Sequence, residues 1–328
     1  MTLAVLYEHP EWFRPLFETL ERRGLAYARV HAGSLAWRPG EPPPYSLLIN
    51  RMSPSAYLRG HRHAIHAAAA FLGHVERHGV PVVNGLAAYR LETSKAAQLD
   101  LFQRLGVPHP RTRVINHPSL AVEAARDLRF PIVVKPNLGG SGARIQRFDT
   151  RPALAAAVEG DVLDLGIDDT ALVQEHLPAR DGAITRIELL ACELLYAIRI
   201  KPPTGFGFNL CPADICGEDF RGGAAPAGGT PVEGLCPTKP AMGIEAVSVP
   251  ADVLRTAVAV ARAGRLDVCG IEYLVDDRDG RPYFYDVNAL SNFVTDAGRV
   301  VGFDPFEVFV DYVERRLPRA LGRAAVAT

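Results

Sequence analysis

An apolar run that ends in a lysine and opens into glycines is the strongest chemical signal in the chain. Residues 130–144 read Phe-Pro-Ile-Val-Val-Lys-Pro-Asn-Leu-Gly-Gly-Ser-Gly-Ala-Arg, which sets Lys135 just before Gly139, Gly140, Ser141 and Gly142. Alternation resumes over residues 144–148, so the pattern is strand, loop, strand. Glycines let backbone N–H groups approach a polyanion, and the lysine adds a compact positive charge. No helix pattern opens at the turn and no Gly-Lys-Ser/Thr follows, which excludes a Walker P-loop and the dinucleotide fingerprint. An ordinary hairpin with a glycine turn is the alternative. Lysine usage sharpens the phosphate reading. Of 36 basic residues only Lys95, Lys135, Lys201 and Lys239 are lysines. Where arginine serves almost everywhere, the remaining lysines mark places that need a point charge with rotatable donors.

The second signal lies near the end of the chain. Residues 269–275 form an apolar strand pattern, 276–280 a polar turn and 282–288 the returning strand. Asp286 and Asn288 are two apart and share one strand face, and Glu272 can meet them across the ladder. Two carboxylates and an amide oxygen suit Mg²⁺, with nucleotide phosphates completing its octahedron. A solvated hairpin face is the alternative, but Glu272 and Asp286 sit inside apolar runs, where like charges without a cation are costly.

These groups must be positioned by a framework that the pattern also outlines. Residues 2–7, 45–50 and 80–84 read as strands separated by helical periodicity over 11–24 and 55–79, which predicts a parallel sheet with covering helices ending near residue 88. Two polar loops at its carboxyl edge are Glu8-His9 and the loop of Arg51, which either meets a substrate carboxylate or is a surface arginine. A helix over 93–105 carries Lys95 and stops at Gly106. A strand over 108–115, a helix over 118–128, the Lys135 hairpin and a strand over 170–177 follow. Residues 183–201 read as two antiparallel strands turning at 192–193, with Lys201 at the end. Residues 202–248 are rich in glycine and proline, and a loop of that length predicts a substrate-covering segment that orders on binding. Helices over 251–265 and 304–317 complete the chain, with a tail at 319–328.

Composition narrows the classes. The 328 residues are 48% hydrophobic and 22% charged with a net charge of −1. That is a globular composition with no basic cluster, so neither nucleic acid nor membrane is an expected partner. No apolar run reaches transmembrane length and the chain starts on a strand pattern, so the expected location is cytoplasmic. Five cysteines, Cys192, Cys211, Cys216, Cys236 and Cys269, are an odd number and make a disulfide framework unexpected. The 211, 216 and 236 spacing is not that of a Cys-x-x-Cys metal pair.

Lys95, the Lys135 glycine loop, Val173-Gln174-Glu175 and Glu272 followed by Asp286-Val287-Asn288 occur in one superfamily in this order and spacing. The chain resembles the ATP-grasp carboxylate–amine ligases over residues 1–318, most closely the branch of RimK-type glutamate ligases, lysine-biosynthesis ligases and bacterial glutathione synthetase. The implied fold is α/β with α+β lobes: a parallel-sheet pre-ATP-grasp domain (1–88), a small lobe with the glycine loop (89–170) and a C-terminal lobe with the metal site and the long loop (171–318). The resemblance implies ATP held by Lys95, Lys135 and the loop Gly139, Gly140, Ser141 and Gly142, with Gln174, Glu175 and Leu177 at the adenine and ribose. It implies two Mg²⁺ ions, replaceable by Mn²⁺, on Glu272, Asp286 and Asn288. Lys201, Arg199, Arg186 and Asn209 become the catalytic candidates, and Arg51, Ser291 and Asn292 the substrate candidates.

Three positions depart from the RimK-type pattern. Ile184 stands where an acid is usual, Asp-Val-Asn replaces Glu-Val-Asn, and residues 289–293 replace the usual Ser-Pro-Gly. The implied reaction is phosphoryl transfer to a carboxylate and attack of an amine on the acyl phosphate, with small-molecule or peptide substrates and a homo-oligomer as an allowed state. A small-molecule kinase and a non-catalytic nucleotide-binding module are the rival readings. The second would be signalled by loss of a metal ligand or phosphate lysine, and none is lost.

Overall fold

Strand β1 (Leu3–Tyr7) forms because an unbroken apolar run alternates its side chains into two cores. The computed structural model describes residues 2–140, 142–202 and 242–317. Within them β1, β2 (Tyr27–His31), β3 (Leu47–Arg51) and β4 (Val82–Val83) make a parallel sheet in the order β2-β1-β3-β4. Helix α1 (Arg14–Arg22) covers one face and α2 (Arg62–Arg77) the other. β2 is an edge strand of half-buried residues with Arg29 outermost, and its weak apolar signal explains why the pattern shows only three strands. The helical pattern predicted from residue 55 is broken instead. A 3₁₀ turn over Pro54–Arg59 ends at Gly60, whose φ of +81° suits glycine, and α2 starts after it.

Helix α3 (Leu86–Glu92) crosses residue 88 and leads into α4 (Lys95–Leu105), capped by the Ser94 side chain and closed by Gly106 at φ +63°. The second sheet is antiparallel, in the order β5-β8-β6-β7, from β5 (Thr112–Ile115), β6 (Ile132–Pro136), β7 (Gln146–Phe148) and β8 (Ala171–Glu175). β5 starts at Thr112, not residue 108, because Pro108 and Pro110 have no N–H for a ladder. The helix predicted over 118–128 is a 3₁₀ turn and a single turn, α5 (Ala121–Ala124). α6 (Arg151–Glu159), unpredicted, packs with α5 under this sheet.

The third sheet runs β11-β10-β9-β12-β13, built from β9 (Ile184–Leu190), β10 (Glu193–Lys201), β11 (Gly243–Ala246), β12 (Val268–Val275) and β13 (Pro282–Asn288). β11 pairs with β10, so the predicted loop over 202–248 ends in a strand, while 203–241 lie outside the described residues. α7 (Ala251–Ala263) and α4 pack on one face around Leu101, Phe102, Ala257 and Ile271. The other face shares a core with the first sheet and the last helix: Ile198 and Ile200 pack with Phe13 and Phe17 and with Phe309 and Val310. Truncating one such phenylalanine to alanine costs about 3–5 kcal/mol. α8 (Ala297–Val300) and α9 (Pro305–Arg316) close the chain, and Arg23 of the α1 terminus bridges Glu307, Asp311 and Glu314 of α9 at 2.6–3.0 Å. Among the described residues no helix is long and apolar enough to cross a membrane.

Candidate active site

A cavity of about 420 Å³ opens where the three sheets meet. Its polar wall follows from ladder register. Asp286, Glu272, Arg186 and Ile198 lie opposite one another across β13, β12, β9 and β10, and the next row on that face is Asn288, Gly270, Glu188 and Tyr196. Side chains in register share a face, so three acids, an amide and an arginine are gathered against the core that joins this sheet to the first one. A register shift after Glu272 leaves Tyr285 bulged on β13, and its hydroxyl donates to Glu272 Oε2 at 2.9 Å.

The cations come from two other elements, Lys95 from the start of α4 and Lys135 from β6. Lys95 Nζ pairs with Asp286 Oδ1, while Lys135 Nζ lies 3.9 Å from the same oxygen and donates to Tyr285 O at 3.3 Å. Burial pushes the Lys135 amine down to about 8, and the neighbouring Lys95 charge adds to that. Burial also disfavours the charged Lys95, but Asp286 outweighs it and the pKa rises. Burial likewise opposes ionisation of Asp286, and the two lysines reverse it and hold the carboxyl at about 2. Glu272 is raised by burial, against the pull of Arg186. Arg186 reaches Glu188 Oε1 at 2.6 Å, Glu272 Oε1 at 3.0 Å and Ser291 Oγ at 3.2 Å. A Cβ on Gly270 would lie 2.3 Å from its Nη2, so the glycine makes room for the guanidinium.

Asn137 joins the two lysine-bearing elements. Its Oδ1 accepts from Ser94 Oγ at 3.0 Å and Ala96 N at 2.9 Å, and its carbonyl accepts from Lys95 N at 3.1 Å. The residue after the Lys135 strand therefore caps the helix that begins with Lys95.

Most candidate residues line this cavity: Lys95, Lys135, Gly139, Gly140, Gly142, Gln174, Glu175, Leu177, Arg186, Glu272, Asp286, Asn288 and Asn292. Gln174 Nε2 donates to Thr112 Oγ1 at 2.9 Å, and Glu175 Oε1 accepts from Arg129 N at 2.9 Å. Ser141 and Asn209 lie outside the described residues, as do Cys211, Cys216 and Cys236. The described Cys192 and Cys269 are free thiols. Arg199 is turned from the cavity and pairs with Asp181 at 2.9 Å and Glu245 at 3.7 Å, and Lys201 is exposed at the end of β10. Arg51 corrects both of its readings. It is neither at the surface nor in the cavity wall, but 1% exposed and stacked between Phe13 and Phe309, donating to Ser291 O and Asn292 Oδ1. Ser291 is fully buried beneath Arg186.

Sequence reading missed Glu92, Gln98, Asn137, Glu188, Tyr285 and the first-domain residues Trp12, Ser53 and Ser55, of which all but Asn137 and Glu188 line the cavity. Glu188 was accessible to period-2 reasoning from Arg186; the others carry no local signal.

Among the described residues no three His, Cys, Asp or Glu side chains cluster to hold a metal. The set here is two carboxylates and an amide. Asn288 Nδ2 lies 3.4 Å from both Gly270 O and Glu272 Oε1, which sets its amide, with the oxygen Oδ1, beside the Glu272 carboxylate. An ionised Asp286, Glu272 opposite it and that oxygen are hard donors suited to Mg²⁺.

Comparison with known proteins agrees with this architecture. No family model matches the chain. A protein of Methanococcoides burtonii named "Probable alpha-L-glutamate ligase" is 24% identical over 315 residues, covering 92% of this chain and 91% of its own. The D-cycloserine synthetase DcsG is a structural neighbour with a TM-score of 0.67 at 18% identity, covering 97% of this chain and 100% of its own. The ATP-grasp ligase PsnB, solved with a phosphomimetic variant of its minimal precursor, Mg and ADP, superposes with a TM-score of 0.65 at 20% identity over 96% of this chain and 98% of its own.

Proposed function

We propose that this chain, which has the ATP-grasp fold, is an ATP-dependent ligase that joins a carboxylate to an amine with release of ADP and phosphate. One observation carries the reading. Lys95 on α4 and Lys135 on β6 meet the carboxylates Glu272 and Asp286 of the third sheet at a single cavity wall, with Lys95 ion-paired to Asp286. A nucleotide polyphosphate with a divalent cation is the ligand that satisfies both halves of that arrangement.

On this reading residues 1–88 form the pre-ATP-grasp domain, and lobes 89–170 and 171–318 clamp the nucleotide. Lys95 and Lys135 bind phosphate oxygens, Gly139, Gly140 and Gly142 lie over them, and Gln174 and Glu175 at the end of β8, with Leu177 just beyond, meet the base and ribose. Glu272, Asp286 and Asn288 hold Mg²⁺, in two ions that Mn²⁺ can replace. The metal supplies charge neutralisation at the transferred phosphoryl group. Arg186, fixed by Glu188 and Ser291, points its guanidinium into the cavity beside Glu272 and stabilises the anionic oxygens of the acyl phosphate. The closed lobes keep water from that intermediate while the amine attacks. The substrates are amino acids or peptides, and the relative's name directs the first assay to L-glutamate. The protein works in the cytoplasm.

The test is incubation of the full chain with Mg-ATP, L-glutamate and a pool of amino acids and short peptides, following phosphate and product masses. Phosphate release that requires a carboxylate and an amine, gives their summed mass less water and vanishes in Glu272→Ala establishes the ligase. A product heavier by one phosphoryl group on a single acceptor overturns it in favour of a kinase. ATP binding with no turnover across the pool overturns the amino-acid and peptide assignment.

A further inference from the structure

β13 is an edge strand of its sheet, and an edge strand leaves every second N–H and C=O without a ladder partner. Val287 is such a residue, and it lies between Asp286 and Asn288. Its N–H donates to Gln98 Oε1 at 3.1 Å, and its carbonyl accepts from Gln98 Nε2 at 2.8 Å. The second proton on Nε2 goes to Leu91 O at 2.8 Å. Gln98 is 2% exposed, so one buried amide replaces the missing strand at that residue, with both donors and its acceptor satisfied.

The two bonds fall on two different peptide planes. The Val287 N–H belongs to the plane shared with Asp286, and the Val287 carbonyl to the plane shared with Asn288. Each plane is rigid and holds the Cα of one flanking residue, so fixing both fixes φ and ψ of Val287 and with them the separation of the Asp286 and Asn288 Cα atoms. Gln98 is also three residues after Lys95 on α4, less than one helical turn away. One rigid helix therefore carries the lysine that pairs with Asp286 and the amide that orients the Asp286–Asn288 backbone. The chain beyond is held separately: Glu92 accepts from Ala289 N and Leu290 N, and Asn84 Nδ2 donates to Ala289 O. Among these buried side chains Gln98 is the one bonded to the planes of both proposed ligands.

We infer that Gln98 is a positioning residue for the metal-binding pair, setting the geometry of Asp286 and Asn288 without touching substrate or metal itself. The inference rests on the ligase reading and its metal set. A purely structural role would lower stability and leave ion affinity alone. A positioning role alters ion affinity in protein that is still folded, as partners behind metal ligands do, by about 10- to 100-fold.

The experiment titrates Mn²⁺ by electron paramagnetic resonance into the full chain with a non-hydrolysable ATP analogue, at a temperature where circular dichroism shows each variant folded. Gln98→Leu, nearly the same shape with neither polar group, should bind Mn²⁺ about 10- to 100-fold more weakly. Gln98→Glu keeps the acceptor and loses the donors when ionised, and should fall between it and wild type. Asp286→Asn runs in parallel. A folded Gln98→Leu that binds within about twofold of wild type, while Asp286→Asn binds poorly, overturns the role of Gln98 and leaves the metal set standing. Unchanged binding in Asp286→Asn removes the metal set and the inference with it. If Gln98→Leu does not fold, hydrogen exchange of wild-type protein decides: the Val287 amide should be protected like that of Ile271 on β12, and exchange at the rate of an open edge overturns the proposal.

Discussion

Glu92 gives a sharp test of the electrostatics behind the cavity. It ends α3, its Oε2 accepts from Ala289 N and Leu290 N, and it lies in the field of Lys95 and Asp286. Burial is the largest influence and lifts its carboxyl from the ordinary 4.5 to about 7; Lys95 and the two N–H groups pull it down, and Asp286 pushes it further up. A carboxyl raised in the folded state favours folding while protonated, so its contribution is complete below the unfolded value of 4.5 and is lost as pH rises through about 7. The full difference is worth about 3 kcal/mol at 1.36 kcal/mol per unit, and the portion between about pH 5 and pH 7.5 is about 2 kcal/mol.

The perturbation is Glu92→Gln, which keeps the shape and an accepting oxygen but cannot ionise. Unfolding free energies from urea titrations of wild type and variant at about pH 5 and pH 7.5 form a double difference in which every unaltered group cancels. The upper pH stays below the value of about 8 at which Lys135 loses its charge. Stability of the variant relative to wild type should increase by about 2 kcal/mol between the two conditions. A difference independent of pH, or one that moves against the variant, refutes the reasoning.

Two further outcomes follow from the same wall. Lys135 is held at about 8, so affinity for an ATP analogue measured by calorimetry should fall as pH rises through that value; the same pH profile in Lys135→Met would exclude this lysine as the cause. Gly270→Ala places a methyl 2.3 Å from Arg186 Nη2, and because Glu188, Glu272 and Ser291 hold the guanidinium it must leave its position. Steady-state kinetics on protein that is still folded should show kcat reduced about 100-fold, with a clearly lowered melting temperature because Glu188 and Glu272 lose their buried partner, and an unchanged kcat would show that Arg186 has no part in the reaction.

What the sequence makes legible is whatever repeats at a fixed period or breaks it. The Lys135 strand and its glycine turn declare themselves by an apolar run that stops, and Glu272, Asp286 and Asn288 by polar residues at period two inside such runs. The parallel sheet is legible for the same reason except at β2, whose exposed Arg29 and half-buried neighbours carry no clean alternation. Arg51 is misread because its surroundings are not local. The rings that stack on it come from Phe13 and Phe309, and its acceptors from residues 291 and 292, all remote in sequence. Gln98, Glu92 and Asn137 are hidden for a related reason. Each is bonded to backbone on another element, and backbone groups are the same at every position, so no residue pattern betrays which side chain will meet them.

The charge balance of the wall bears on how a ligand enters it. Lys95, Lys135 and Arg186 face Asp286, Glu272 and Glu188, with Glu92 beside Lys95 and raised to about 7, and the closest contacts join opposite signs. Such a cluster is near neutral before anything binds. A bare polyphosphate would bring several negative charges against carboxylates already paired, and a bare divalent cation would have to displace Lys95 from Asp286. On the proposed reading the two, arriving together, would exchange partners: phosphate oxygens would take the lysines and the released carboxylate the cation, leaving no charge uncompensated. On that reading the half-buried Lys95–Asp286 pair would be a neutral resting state that each half of the nucleotide–metal complex helps the other to open.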